Sequence, residues 1–339
     1  MASVRNLSDS VRIGAVITRN RICIPPMVYY GHAGDDGMTT DAHISHYREL
    51  AAGGAGLIIQ EATCIAPEGR LRPDQLGIWS EEQVPGLRRI TGAVHKENCP
   101  IFLQIHYGTV KDVSALSTAE VTDLRDAFIA GALRTFEAGY DGVELHCCHS
   151  YLLCQFLNRR TNRRRDKYAD GLQLVEEIYH GIRAQTAPEF VVGIRLGGFE
   201  PALEDGIAHA KALEEMGVEF LDISYGFTGE MDLGAPGDPD LSAAVRAAGA
   251  IKETVRIPVF AVNGIRTPAD AERVLAATGV DMVDIGRSVL VDPEWPKKAL
   301  AGQTPGRCMD CKTCQWRIDE ARCPGRLALK RQKKAEEQA

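Results

Sequence analysis

Short apolar runs recur along this chain, and each follows a longer stretch whose apolar positions have helical spacing. AAGGAGLIIQEA (51–62), EAGYDGVELH (137–146), EMGVEFLDIS (215–224) and ATGVDMVDIG (277–286) share one order. A helical run ends in glycine, one to three residues follow, and a short apolar strand begins. Glycine there supplies the left-handed cap at which a helix stops. Strands that are nearly continuous apolar runs are buried on both faces, as in parallel sheets. Eight such strands are expected: Ile22–Pro25, Gly56–Glu61, Ile101–Ile105, Gly142–His146, Phe190–Leu196, Phe220–Ser224, Ile257–Val262 and Met282–Gly286. Helices are expected between them, among others Thr40–Ala52, Glu81–Lys96, Ala119–Ala138 and Gly206–Met216. Eight βα units predict an α/β fold, a single (β/α)8 TIM barrel, with functional residues at the C-terminal strand ends. A doubly wound sheet is the weaker alternative, because the first strand ends in Pro25-Pro26-Met27 and not in a G-x-G-x-x-G turn. Residues 10–20, SVRIGAVITRN, are expected to form an N-terminal hairpin against the barrel floor.

The strand ends carry the polar groups. In chain order they offer Pro26, Met27, Val28 and Tyr30; Glu61, Ala62 and Thr63; Gln104 and His106; His146, His149 and Tyr151; Arg195; Ser224 and Tyr225; Asn263 and Gly264; and Gly286 and Arg287. The last two pairs follow the seventh and eighth strands, where barrels commonly hold a phosphate on glycine N–H groups and a helix start. Arg287 would add a charge-assisted contact. The competing reading is two ordinary βα turns. Gln104 can bond a pyrimidine edge and Arg195 can stabilise negative charge on a reduced ring, so together with the phosphate grip they suit FMN.

The stretch GVELHCCHSYLLCQFLNRRTN (142–162) holds the candidate chemistry. His146, His149 and Tyr151 fall within six residues where a strand gives way to a loop. Three groups able to donate or shuttle protons there suggest a catalytic rim. Singly, each could be a half-buried ring with ordinary partners. His-x-x-His can also ligate zinc, but no third ligand stands at useful spacing.

Composition narrows the classes. The chain has 339 residues, 45% hydrophobic and 25% charged, with a net charge of −7. Nothing there argues for a nucleic-acid partner; the cluster Arg159, Arg160, Arg163, Arg164 and Arg165 is too local to make a binding face. The start, MASVRNLSDSVRIG, has no signal-peptide run, and no stretch approaches the roughly 18 apolar residues of a membrane span. A cytoplasmic protein is expected, with its ten cysteines as thiols or metal ligands.

Five segments then carry a resemblance: NRICIPPM (20–27), HYRELAAGGAGLIIQEA (46–62), LGIWSEEQVPGLRRITGAVH (76–95), AGYDGVELHCCHSYLLCQFLNRRTNRR (138–164), and VNGI with DMVDIGRSVLVDP (262–293). Over roughly residues 8–305 the chain resembles the old yellow enzyme family of NADH:flavin oxidoreductases. The resemblance implies an FMN-dependent ene-reductase acting on a small α,β-unsaturated carbonyl compound. It implies that His146 and His149 bond the substrate carbonyl and that Tyr151 delivers a proton. It implies that Ala62, Gln104 and Arg195 contact the flavin ring, and that Gly264, Gly286 and Arg287 hold its phosphate. Pro26, Met27, Val28 and Asn263 complete the expected cofactor site. There are departures. HYGT (106–109) replaces the family's H-A-G-R, Val28 stands where relatives place Cys or Thr, and ADGLQLVEE replaces a Gly-Gly-Ser run. Cys147-Cys148 is also unusual; small packing is the expectation, with redox chemistry the alternative.

Residues 1–305 are expected to form the FMN-binding barrel, and residues 306–339 a cysteine-rich extension with a charged tail, LKRQKKAEEQA, frayed or helical. The extension spaces Cys308, Cys311, Cys314 and Cys323 as C-x2-C-x2-C-x8-C. Four thiolates at such spacing suit a [4Fe–4S] cluster or zinc, with free thiols the third reading. The family's iron–sulfur branch, the dienoyl-CoA reductases, enoate reductases and trimethylamine dehydrogenase, carries a cluster after its barrel. The resemblance therefore implies NAD(P)H or an external electron-transfer protein as donor. It also leaves an alternative, an FMN/iron–sulfur dehydrogenase oxidising an amine. An amine cation needs an aromatic cage, for which Tyr29, Tyr30, Tyr107 and Tyr225 are the candidates. A third reading, a ligand-binding barrel without cofactor, runs against Gln104, Arg195 and Arg287. Homo-oligomerisation is left open.

Overall fold

The computed structural model describes residues 5–226 and 237–336. Two strands, β1 (Val11–Ile13) and β2 (Val16–Thr18), pair antiparallel as the expected hairpin. The next elements are β3 (Ile22–Ile24), α1 (Asp41–Ala52), β4 (Leu57–Cys64), α2 (Val84–His95), β5 (Ile101–His106), α3 (Thr118–Glu137) and β6 (Gly142–Cys147). Then come α4 (Leu152–Leu157), α5 (Gly171–Arg183), β7 (Val191–Gly197), α6 (Leu203–Met216) and β8 (Leu221–Ser224). The described chain ends with α7 (Ala243–Lys252), β9 (Val259–Ala261), α8 (Pro268–Thr278), β10 (Met282–Asp284), α9 (Arg287–Val291), α10 (Trp295–Leu300) and α11 (Pro324–Glu336).

β3 to β10 close into a barrel in which every pairing is parallel, β10 joining β3. Every residue of these eight strands is buried, as continuous apolar runs require. The glycines ending the helical runs adopt positive φ: Gly54 98°, Gly139 83°, Gly217 104° and Gly279 64°. The hairpin closes the floor, where Val11 and Ile13 pack with Leu57, Phe102, Phe220 and Phe260 inside the barrel.

Some boundaries differ from expectation for local reasons. β3 stops at Ile24 because Pro25 and Pro26 have no N–H to donate. The helix expected from Glu81 opens as a 3-10 turn over Glu81–Gln83, and α2 begins at Val84 with Pro85 in its first turn, where the missing N–H costs nothing. β4 runs on to Cys64 through a bulge, in which Gln60 faces Leu103 and Thr63 faces Ile105. Glu61 and Ala62 thus share the single residue Gln104 between them. Bulges of this kind re-aim side chains beside functional sites.

The extension folds back over the mouth. Trp316 and Cys323 are buried against Leu290 and Val291 of α9. Of the charged tail, α11 is helical through Glu336, and the last three residues lie outside the described part.

Candidate active site

A cavity of about 450 Å³ opens at the C-terminal strand ends. Pro25 to Val28 form one side; Arg195, Ser224 and Tyr225 come from the β7 and β8 ends. Asn263 to Arg266 and Gly286 to Ser288 form the phosphate-like end, and Trp316 and Arg317 of the extension complete the wall. The volume is that of a small-molecule or cofactor pocket. Of the expected cofactor residues, Pro26, Met27, Val28, Arg195, Asn263, Gly264, Gly286 and Arg287 line it.

Ala62 and Gln104 are buried outside that lining. The Ala62 carbonyl accepts from Gln75 Nε2 at 2.6 Å, and Gln104 Nε2 donates to Glu144 Oε1 at 2.7 Å. Glu61 ties the cavity loop to the barrel, accepting from Tyr29 N at 2.9 Å and from the Tyr47 hydroxyl at 3.0 Å.

The phosphate-like end has the geometry an anion needs. Asn263 and Gly264 stand at φ 94° and 82°. A Cβ at Gly264 would meet nothing within 4 Å, so the backbone there is open to the cavity. Gly286 precedes α9, whose first N–H groups face no intrahelical acceptor. Arg287 Nη1 and Arg266 Nη2 each donate to one oxygen of Asp310, both at 2.7 Å. Asp310 lies between the first two cysteines of the extension, at a positive φ of 53°. A carboxylate therefore already bridges the two arginines of this end, and those arginines hold its pKa below the ordinary carboxylate value. Arg266, Ser288 and Asp310 were not anticipated.

Arg195 is buried, pairs with Asp222, and leaves its Nε without a partner. Glu144, Asp222 and Asp284 surround it, and burial raises the pKa of all three carboxyls.

The rim triad comes together. His146 Nε2 and His149 Nδ1 stand 3.0 Å apart, and His149 Nε2 is 2.9 Å from Ser224 Oγ. His146 Nδ1 is buried without a partner. An unpaired lone pair costs less than an unpaired N–H, so the favoured tautomers run one way. His146 Nε2–H donates to His149 Nδ1, and His149 Nε2–H donates to Ser224. Burial holds both imidazoles neutral; His149 is lowered to about 3, and His146 is also pushed well below its ordinary value. Tyr151 leads into α4 with its ring 4.9 Å from that of His146 and 5.5 Å from that of His106. Its phenol is raised above the ordinary tyrosine value by burial, so it stays protonated. His149 and Ser150 both sit in the left-handed region, at φ 62° and 63°. That turn brings His149 back over His146, at the backbone cost typical of functional loops. The triad meets the cavity through Ser224, which lines it.

A model of the NADH:flavin oxidoreductase / NADH oxidase family matches residues 7–114 and 109–304. The chain belongs to this family. It is a flavin-dependent oxidoreductase. The chain is 33% identical over 348 residues to an NADH oxidase of Thermoanaerobacter brockii, covering 92% of this chain and 53% of that protein. It therefore spans about half the length of that relative. With an NADPH dehydrogenase of Halalkalibacterium halodurans it shares 32% identity, covering 86% of this chain and 93% of that one. Among solved structures, a 2-naphthoyl-CoA reductase superposes with a TM-score of 0.82 at 22% identity, over 93% of this chain and 56% of that one. The old yellow enzyme homologue from Zymomonas mobilis superposes at 0.75 and 24%, over 93% and 99%. These likenesses are of fold.

The four extension cysteines all line one narrow space beside α9, and Cys308 and Cys314 also face the main cavity. They are free thiols. Among the described residues no three His, Cys, Asp or Glu side chains gather closely enough to hold a metal. Cys308, Cys311, Cys314 and Cys323, expected as [4Fe–4S] or zinc ligands, thus share one space without closing into a ligand set among the described residues. Cys314 and Cys323 pack with Leu290, Val291 and Trp316, an apolar contact that seats the segment on α9.

Proposed function

We propose that this chain reduces the activated C=C bond of a small α,β-unsaturated carbonyl compound, with NAD(P)H as electron source. The observation that carries this is the pairing of two neutral imidazoles, nitrogens 3.0 Å apart, beside a protonated phenol. A carbonyl oxygen set between His146 and His149 would meet two N–H donors once His149 carries its proton on Nδ1 instead of Nε2, and negative charge growing on it would be stabilised as in an oxyanion hole. Tyr151 would protonate the neighbouring carbon. Reduced FMN supplies the hydride when bound.

The residues fit that cofactor. Arg266, Arg287, Gly264 and the start of α9 would hold the phosphate, and Arg195, with its free Nε, would face the ring. Asp310 competes for the same two guanidinium groups. Asp310→Asn should therefore tighten FMN binding a few-fold, read by fluorescence quenching on titration of flavin-stripped protein. Weaker binding would mean that Asp310 instead presents the arginines to the phosphate.

Amine oxidation is not favoured. Three of the four candidate cage rings are already covered: Tyr29 by His32 and His46, Tyr30 by the Arg72 guanidinium at 4.8 Å, and Tyr225 by Phe199. The separating experiment is anaerobic stopped-flow. Reoxidation of the reduced flavin by 2-cyclohexenone supports the reductase, whereas flavin reduction by trimethylamine would overturn it.

We assign the chain to the cytoplasm, a reading supported by its ten unpaired thiols. Among the described residues no helix is long and apolar enough to cross a membrane. For the cysteine extension, spacing and the shared narrow space support a [4Fe–4S] site. Iron and acid-labile sulfide in anaerobically purified protein decide for the cluster, zinc for a structural site, and neither for thiols.

A further inference from the structure

The extension builds a second cavity, of about 240 Å³, beside the main one. The two share Val28, Trp316 and Arg317, so they are continuous at the cavity mouth. Tyr29, Tyr30 and His32, from the loop after β3, form the opposite wall. Two features mark this space as more than a surface groove. Four flat rings stand in its walls, those of Tyr29, Tyr30, His32 and Trp316, with Trp316 itself buried. It also adjoins the reacting groups, because the main cavity with which it shares Val28, Trp316 and Arg317 is lined by Ser224, the partner of His149.

The charge balance is asymmetric. Asp319 and Glu320 also line the cavity, but each has its own arginine: Arg322 lies 3.3 Å from Asp319, and Arg326 lies 2.9 Å from Glu320. Arg72, stacked on Tyr30, is bound to Asp74 at 2.9 Å. Among the described residues Arg317 has no ion pair or hydrogen bond of its own. A guanidinium on the wall of a pocket is a planar, multi-donor reader of carboxylate or phosphate.

We propose that Arg317 is a specificity residue. It binds an anionic group, carboxylate or phosphate, that the unsaturated substrate carries on a side chain extending from the triad into the second cavity. This rests on the ene-reductase reading above and narrows its substrate class to acidic enones with a flat or slender side arm.

The test compares an acid with its own ester. A cyclohexenone carrying a propionate side chain is assayed against its methyl ester, using FMN-loaded wild type, Arg317→Gln and Arg317→Lys. In Arg317→Gln the ratio of kcat/KM for acid over ester should fall about tenfold, the scale of one charge-assisted hydrogen bond. Arg317→Lys, which keeps the charge, should recover part of it. The loss should lie in KM and shrink as ionic strength rises. A ratio within twofold of wild type overturns the assignment while leaving the reductase reading intact. A loss confined to flavin reduction by NADPH, and absent with NADH, also overturns it, because Arg317 would then read the nucleotide's phosphate. If wild type reduces neither compound, the reductase reading itself fails, and this inference with it.

Discussion

Replacing Tyr151 with Phe is expected to slow enone reduction by about 10²–10⁴-fold, the usual contribution of a positioned general acid, while the protein still retains flavin. The change removes one hydroxyl and keeps the ring against His146 and His106, so packing at the rim is preserved. None of the phosphate-end residues is touched. Burial raises the phenol's pKa, and Tyr30 and Cys148 act in the same direction; Arg317 opposes them. The acid form therefore persists well above neutral pH, and the wild-type rate should be flat through neutrality and fall only in strong alkali. The measurement is flavin reoxidation by 2-cyclohexenone in anaerobic stopped-flow, for wild type and Tyr151→Phe. A variant within a few-fold of wild type would mean that water, not Tyr151, delivers the proton.

The barrel was legible because its signal is local. Parallel strands buried on both faces must be apolar throughout, and the glycines before them must turn the chain left-handed. Both requirements are written in ten-residue windows such as EMGVEFLDIS. The rim triad was legible for the same reason, its members lying within six residues at one strand end. What could not be seen is long-range. Ser224 was visible as a strand-end residue, but its partner His149 lies 75 positions away, and no periodicity links the two. Asp310 reaches Arg266 across 44 positions and Arg287 across 23, through the docking of an extension that no regular pattern describes. Arg317 reaches the mouth by the same docking. The cysteine spacing promised a ligand set, but spacing fixes only the distance along the chain. How the four cysteines stand to one another in space follows from how Trp316 and Cys323 pack under α9. Gln104 was placed on the correct strand, yet the bulge in β4 and the Glu144 carboxylate decide what its amide bonds.

Removing either imidazole should cost about 10²–10³-fold in kcat, the scale of one lost oxyanion donor, and Ser224 provides the sharper test. In the free structure His146 Nε2–H points at His149 Nδ1, so only one proton lies between the two rings. For both to donate to a carbonyl oxygen, His149 must move its proton from Nε2 to Nδ1. Its Nε2 then needs a donor, and the Ser224 hydroxyl, 2.9 Å away, can rotate to become one. Ser224→Ala removes that donor and leaves His149 biased against the productive tautomer. The loss should fall on kcat more than on flavin binding and be smaller than for His149→Ala. Protonation of the rings cannot substitute at ordinary pH, since burial holds His149 near 3. The same burial gives a stability signature. Unfolded imidazoles take up protons below about 6.5, whereas the folded His149 does so only near 3. The unfolded state therefore binds more protons across that window, and stability falls as the pH drops through it. His149→Ala should flatten that slope in thermal unfolding scans between pH 6.5 and 4, while Ser224→Ala, which leaves the ring in place, should not. If Ser224→Ala matches wild type in single-turnover reduction, no Ser224-assisted tautomer exchange takes place, and His146 alone carries the charge.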